Sequence, residues 1–213
     1  MQRSLIAPAA FLTLLALSGC TKEGDILPTG IIATYSNCPP AAIPAPAGDI
    51  TLFNPEGSRE ASAIDVVATI TNLRDSCVDN GGRLVTSATF EVVAQRRDNR
   101  GARDVILPYF ASVVQGGSNV VSKRTGQVVL RFEDGSYRAS TSDSATSFVD
   151  SAAATLPENI RREITRERRP GDPNAALDPL ADPAVRAAVE QARYELLIGF
   201  ELTPEQLRYN APR

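Results

Sequence analysis

From Asp49 onward, apolar and polar residues alternate with a period of two in run after run. That period puts successive side chains on opposite faces of an extended backbone and predicts strands. Ile50-Thr51-Leu52-Phe53 opens the series, and Ile64, Val66, Ala68 and Ile70 follow, alternating with Asp65, Val67, Thr69 and Thr71. Asn80-Gly81-Gly82 interrupts before residues 84–95, where Phe90, Val92 and Ala94 share a face, and Asp98-Asn99-Arg100-Gly101 is the next turn. Residues 105–114 are apolar on both faces and contain Pro108, whose missing N–H assigns this strand to an edge or a bulge. Gly116-Gly117-Ser118-Asn119 ends that run. Val128, Leu130 and Phe132 then lead into Asp134-Gly135, a dipeptide suited to a two-residue hairpin, which predicts that Phe132 pairs with Tyr137 across the strands.

After Ser140 the alternation gives way. Residues 147–156 are alanine-rich, and Thr155-Leu156-Pro157-Glu158 has the form of a capped helix start, with Glu158 three residues after Thr155. A short charged helix is expected to run from there to about Arg168. In Asp182-Pro183 a capping carboxylate precedes a proline at the first helical position, and Val185, Ala188, Val189 and Ala192 then fall on one helical face. Tyr194, Leu196, Ile198, Phe200 and Leu202 alternate as a last strand, with one helical turn to follow at 204–207. About seven strands, joined first by hairpin-length turns and then by a helical excursion, predict a mainly β domain over 49–213. The architecture expected is an immunoglobulin/fibronectin-like β-sandwich with an α-helical insert at about 145–192, before the last strand. The chain has no tryptophan to match the buried one of antibody domains, so the likeness is architectural and carries no function.

Ahead of this domain, Met1-Gln2-Arg3 supplies one positive charge and residues 5–17 form an apolar run broken only by Pro8 and Thr13, the layout of a secretory signal. The run stops short of the about 20 residues that a spanning helix needs. Leu17-Ser18-Gly19-Cys20 resembles the lipobox of bacterial lipoproteins. The resemblance implies that residues 1–19 are a signal peptide, that the Cys20 thiol receives a lipid, and that a membrane is the chain's first partner. It implies a place in the cell envelope, facing the periplasm, and Thr21, which is not aspartate, inclines the expectation to the outer membrane. Residues 20–48 are then a tether followed by a proline-rich strap, since Cys38-Pro39-Pro40, Pro44 and Pro46 favour extended backbone.

Cysteine count fits this picture. With Cys20 acylated, Cys38 and Cys77 remain as a possible pair, and a disulfide between them is expected to stabilise the fold by about 4 kcal/mol through loop closure. Two buried free thiols are the alternative.

Composition mainly removes function classes. The net charge of −3 falls further when the leader takes Arg3 with it, and nothing in that balance suggests nucleic acid as a partner. The chain has no histidine, which excludes histidine-based serine or cysteine triads and imidazole metal sites. No phosphate loop occurs, Gly81-Gly82 and Gly116-Gly117 sit where turns are expected, and neither Lys22 nor Lys123 has the setting of a Ser-Lys dyad. Paired carboxylates remain open, because 25 acidic residues are present and no spacing selects two of them. Arg161, Arg162, Arg166, Arg168 and Arg169 form a basic segment that suits anionic headgroups or an acidic partner, against the alternative of a solvated helix with a Glu158–Arg162 pair. Asp172, Asn174, Asp178 and Asp182 do not match the spacing of a calcium loop and are explained by turns and caps. The expectation is therefore a membrane-held, non-catalytic structural or protein-interaction module without metal or cofactor. A small-molecule or glycan-binding domain comes second, and a carboxylate-based hydrolase third.

Overall fold

The computed structural model describes residues 36–166 and 177–211, and Cys20, Arg168, Arg169, Asp172 and Asn174 lie outside them. The strands are β1 (Ala41–Ala42), β2 (Asp49–Phe53), β3 (Ile64–Asp79), β4 (Arg83–Arg96), β5 (Arg103–Gln115), β6 (Asn119–Phe132), β7 (Arg138–Asp150) and β8 (Tyr194–Phe200). Pairing sorts them into two four-stranded sheets, β1-β8-β5-β6 and β2-β3-β4-β7. Among the described residues only β1 on β8 is parallel. Helices α1 (Glu158–Thr165) and α2 (Pro183–Ala192) lie between β7 and β8, and α3 (Pro204–Asn210) follows β8. The fold is thus mainly β with a few helices, and among the described residues no helix is long and apolar enough to cross a membrane.

Period-two alternation decides what enters the core. Along β4, every second residue from Leu84 to Arg96 is buried. Ile50, Val66, Phe90 and Val92 of one sheet meet Leu107, Leu130, Phe132, Ile198 and Phe200 of the other in one cluster. Phe90 and Tyr109 join the layers edge to face, with ring centroids 5.1 Å apart. A smaller cluster of Leu84, Val113, Val149 and Ala154 sits at one end, against Cys38, Cys77 and Tyr194. Cys38 and Cys77 are disulfide-bonded there, their Cα atoms 5.9 Å apart.

Several expectations need correction. Asp134-Gly135 is not a hairpin. Phe132 pairs with Arg103 of β5, while Arg138 pairs with Gln95 of β4, so β6 and β7 belong to different sheets and Phe132 does not face Tyr137. The reason is Arg96, whose side chain sits at the buried end of β4 and whose residue is 4% exposed. Its Nε donates to the Ser136 carbonyl (2.8 Å), Nη1 to Gly101 (2.8 Å), and Nη2 to both Asn99 (2.7 Å) and Glu133 (2.9 Å). Its guanidinium also lies 5.2 Å from the centre of the Phe132 ring. The loop 133–137 thereby bends toward the loop 97–102 and across to the other sheet. Gly135, at φ +79°, completes the corner by donating its N–H to the Asn99 carbonyl.

β7 runs on to Asp150, past the expected start of the helical insert at about 145, and the alanine-rich stretch is strand through Phe148 and Val149, which pair with Val85 and Leu84. Cross-strand pairing there overrides the weak strand preference of serine and alanine. Pro108 lies in a central strand, since β5 is flanked by β6 and β8. The proline is tolerated because it stands at the last rung beside β8, where its carbonyl accepts from Glu201 N–H at 3.0 Å and its missing N–H costs only the return bond. Thr155 does not cap α1, whose N-cap is Pro157 and which ends at Thr165, short of Arg168. Asp182 does cap α2, accepting from Ala184 N–H at 2.8 Å. The last part of the region read as tether and strap belongs to the fold: Pro39 is fully buried, its carbonyl accepts from the Thr86 hydroxyl, and β1 adds to the sheet edge.

Removing the Arg96 side chain strands carbonyls from two loops, so Arg96→Met is expected to cost at least about 3 kcal/mol in urea unfolding. Arg96→Lys is expected to restore less than half, because one ammonium cannot span acceptors on both loops. A loss under about 1 kcal/mol for Arg96→Met would show that the corner holds without its clamp.

Candidate functional site

The alternation that turns Val66, Ala68, Val92 and Ala94 inward turns Val67, Thr69, Glu91, Val93 and Gln95 outward. On that outer face of the β2-β3-β4-β7 sheet lies an open groove of about 1040 Å³, lined by β3, β4, the start of β7 and the turn at 61–62. Register builds its floor: Thr69, Val93 and Ser140 stand in one cross-strand row, and Val67, Gln95 and Arg138 in the next. Val67 and Val93 are each nearly 40% exposed (39% and 38%) on this floor. Arg97 and Arg138 stand at the end beside the Arg96 clamp, and Glu91 lies four residues back along β4 from Gln95, the residue opposite Arg138, about 13 Å away by strand rise.

Two of the lining residues are acidic, Asp65 and Glu91. Asp65 is taken up by an ion pair with Arg103 at 3.1 Å. Arg97 donates to the Ser62 carbonyl, which fixes the 61–62 turn as one wall. Among the described residues no aromatic ring lines the groove. Among the described residues no group of three His, Cys, Asp or Glu side chains is placed to hold a metal ion. Such a surface can bury apolar side chains of a ligand on Val67 and Val93 and meet opposite charges at its two ends.

The residues singled out in the sequence fall elsewhere. Arg161 pairs with Glu158, Arg162 approaches the same carboxylate at 3.6 Å, and Arg166 pairs with Glu163 at 3.0 Å. These are surface pairs between turns of α1. Asp178 accepts from Leu180 N–H and Asp182 from Ala184 N–H, which is turn and cap chemistry. Cys38 and Cys77 are bonded at the end of the molecule away from the Arg96 corner. Alternation alone does not reveal the groove, because Val67 falls among the outward polar positions of β3. The groove's signal is an apolar residue at an outward position in each of two adjacent strands.

Compared with known protein families, curated proteins and solved structures, the chain gives no match.

The Arg100 guanidinium beside Asp98 holds that carboxyl well below the usual range. Tyr109 is more informative. Its ring lies between the layers, over Gly126, where an added Cβ would come within 2.5 Å of the ring. Burial, and then the Asp143 carboxylate of β7, push its phenol up to about 12 from 10.0. The neutral phenol is favoured in the folded state, so its stabilisation is present below pH 10 and is lost as the pH rises toward 12. Unfolding free energy measured between these values is expected to fall for the native chain and to fall distinctly less for Tyr109→Phe; equal slopes would show that this phenol is not the source.

Proposed function

We propose that this chain is a bacterial envelope lipoprotein, lipidated on Cys20 and facing the periplasm from the outer membrane. Its folded part is a non-catalytic module that takes an extended segment of another envelope protein. The observation that carries the binding reading is the open groove with an apolar floor at Val67 and Val93 and opposite charges at its ends. A groove open along its length accommodates a polypeptide strand, whose side chains alternate in the way the floor does. The Cys38–Cys77 disulfide supports export, because such bonds persist in oxidising compartments.

We also read the two sheets as an immunoglobulin-like sandwich. The connectivity supports this: β3-β4-β7 follow the A-B-E order, and β5-β8 the C-F pair. In this reading β1 takes the edge beside β8 where a last strand is usual.

The alternatives draw less from the site. A small-molecule binder is expected to enclose its ligand, and a glycan site usually offers an aromatic platform. For hydrolysis two free carboxylates must face each other, and Asp65 is engaged by Arg103.

Tagged full-length protein, cross-linked in intact envelopes, is expected to co-purify with one abundant protein that Val93→Arg reduces at least tenfold and Ile106→Arg, on the other sheet, leaves unchanged. Equal recovery with both variants would refute the groove.

A further inference from the structure

The end of the domain opposite the Arg96 corner carries a second exposed apolar surface. Val78, Val85 and Phe148 are direct cross-strand neighbours on the outward face of β3, β4 and β7, with Val78 60% and Phe148 48% exposed. Val120 and Val121, at the start of edge strand β6, are also exposed, and β6 reaches this row through Arg124, whose guanidinium is 6.0 Å from the Phe148 ring centre. Contiguous apolar exposure of this kind marks a contact surface.

Charge at this end is sorted. Asp79 is turned to Gly82 N–H and the Ser151 hydroxyl, and Asp150 to the N–H groups of Ala152 and Ala153. Arg83 and Arg124 have no carboxylate partner among the described residues. Valines and a phenylalanine flanked by arginines suit the boundary between headgroups and acyl chains of an anionic bilayer.

The chain itself indicates what covers this face. Cys77 immediately precedes Val78 and is bonded to Cys38, so the polypeptide coming from Cys20 joins the fold one residue from the apolar row. Asn37 donates to Thr155 at the same end. About 18 residues separate Cys20 from Cys38, a reach of about 60 Å at most, which keeps this end within range of any membrane holding the lipid.

We propose that the Val78–Val85–Phe148 row, with Arg83 and Arg124, rests on the membrane that anchors the chain, so that the domain meets the bilayer at its disulfide end and the groove stands about 26 Å further along β4. This rests on the lipoprotein reading of Cys20.

Because the chain has no tryptophan, Phe148→Trp makes a single fluorophore on the proposed contact, and Tyr137→Trp makes one beside the Arg96 corner. Tyr137 is eleven residues away along the chain, about 35 Å of strand. The full chain is purified from membranes, acylation of Cys20 is checked by mass, and each variant is reconstituted in vesicles of phosphatidylethanolamine and phosphatidylglycerol with brominated acyl chains. Bromine is expected to quench Phe148→Trp at least twofold and to leave Tyr137→Trp unchanged. Adding Arg83→Glu and Arg124→Glu is expected to reverse the quenching. Val78→Trp, at the more exposed end of the row, is expected to repeat the result if Phe148→Trp does not fold. An acylated protein whose Phe148→Trp and Val78→Trp fluorophores are unquenched overturns the membrane contact and leaves the lipoprotein reading standing, as does a contact at this face made only by an envelope protein. An unacylated Cys20 removes both.

Discussion

Arg96 is the constraint on which the rest depends. Burying a guanidinium is costly unless its donors are satisfied, and here four backbone carbonyls on two loops do so. Those loops are the crossings from β4 to β5 and from β6 to β7, so one side chain holds two of the passages between the sheets. It also sets the end of the groove. Arg97 and Arg138 occupy their places because β4 and β7 are brought together beside the clamp, with Arg96 N–H bonded to the Tyr137 carbonyl.

Strand β4 carries that order along the molecule. One of its faces fills the core, from Leu84 to Ala94, and the other bears in turn Val85, Glu91 and Val93. The same strand thus lines the groove beside the Arg96 corner and the apolar row beside the disulfide. Polarity along β4 is what turns a two-sheet body into a module with two unlike ends.

Much of the fold could be read from alternation. Residues 64–71, 84–95 and 194–200 are strands because period two places their apolar set on one side, and Asp182-Pro183 begins a helix for reasons local to the dipeptide. Pairing was less legible. Asp134-Gly135 has the chemistry of a hairpin turn, yet its outcome was decided by Arg96, 38 residues earlier, through contacts with no local trace. The strand at 145–150 was hidden for a related reason: its serines and alanines say little until Val85 and Leu84 are set opposite Phe148 and Val149. The site suffered most. A groove floor is made of two residues in different strands, and neither Val67 nor Val93 is unusual alone. The conspicuous features lie elsewhere: Arg161 and Arg166 make surface pairs with Glu158 and Glu163, and Asp178 and Asp182 cap the turns that follow them.

The most direct test of the account is a photo-reactive phenylalanine analogue placed singly at Val93 and at Ile106, one on the outward face of each sheet, in full-length protein irradiated in living cells. The account expects a discrete adduct with one envelope protein from Val93 and none from Ile106. An adduct from Ile106 alone, or none from either position, would contradict it.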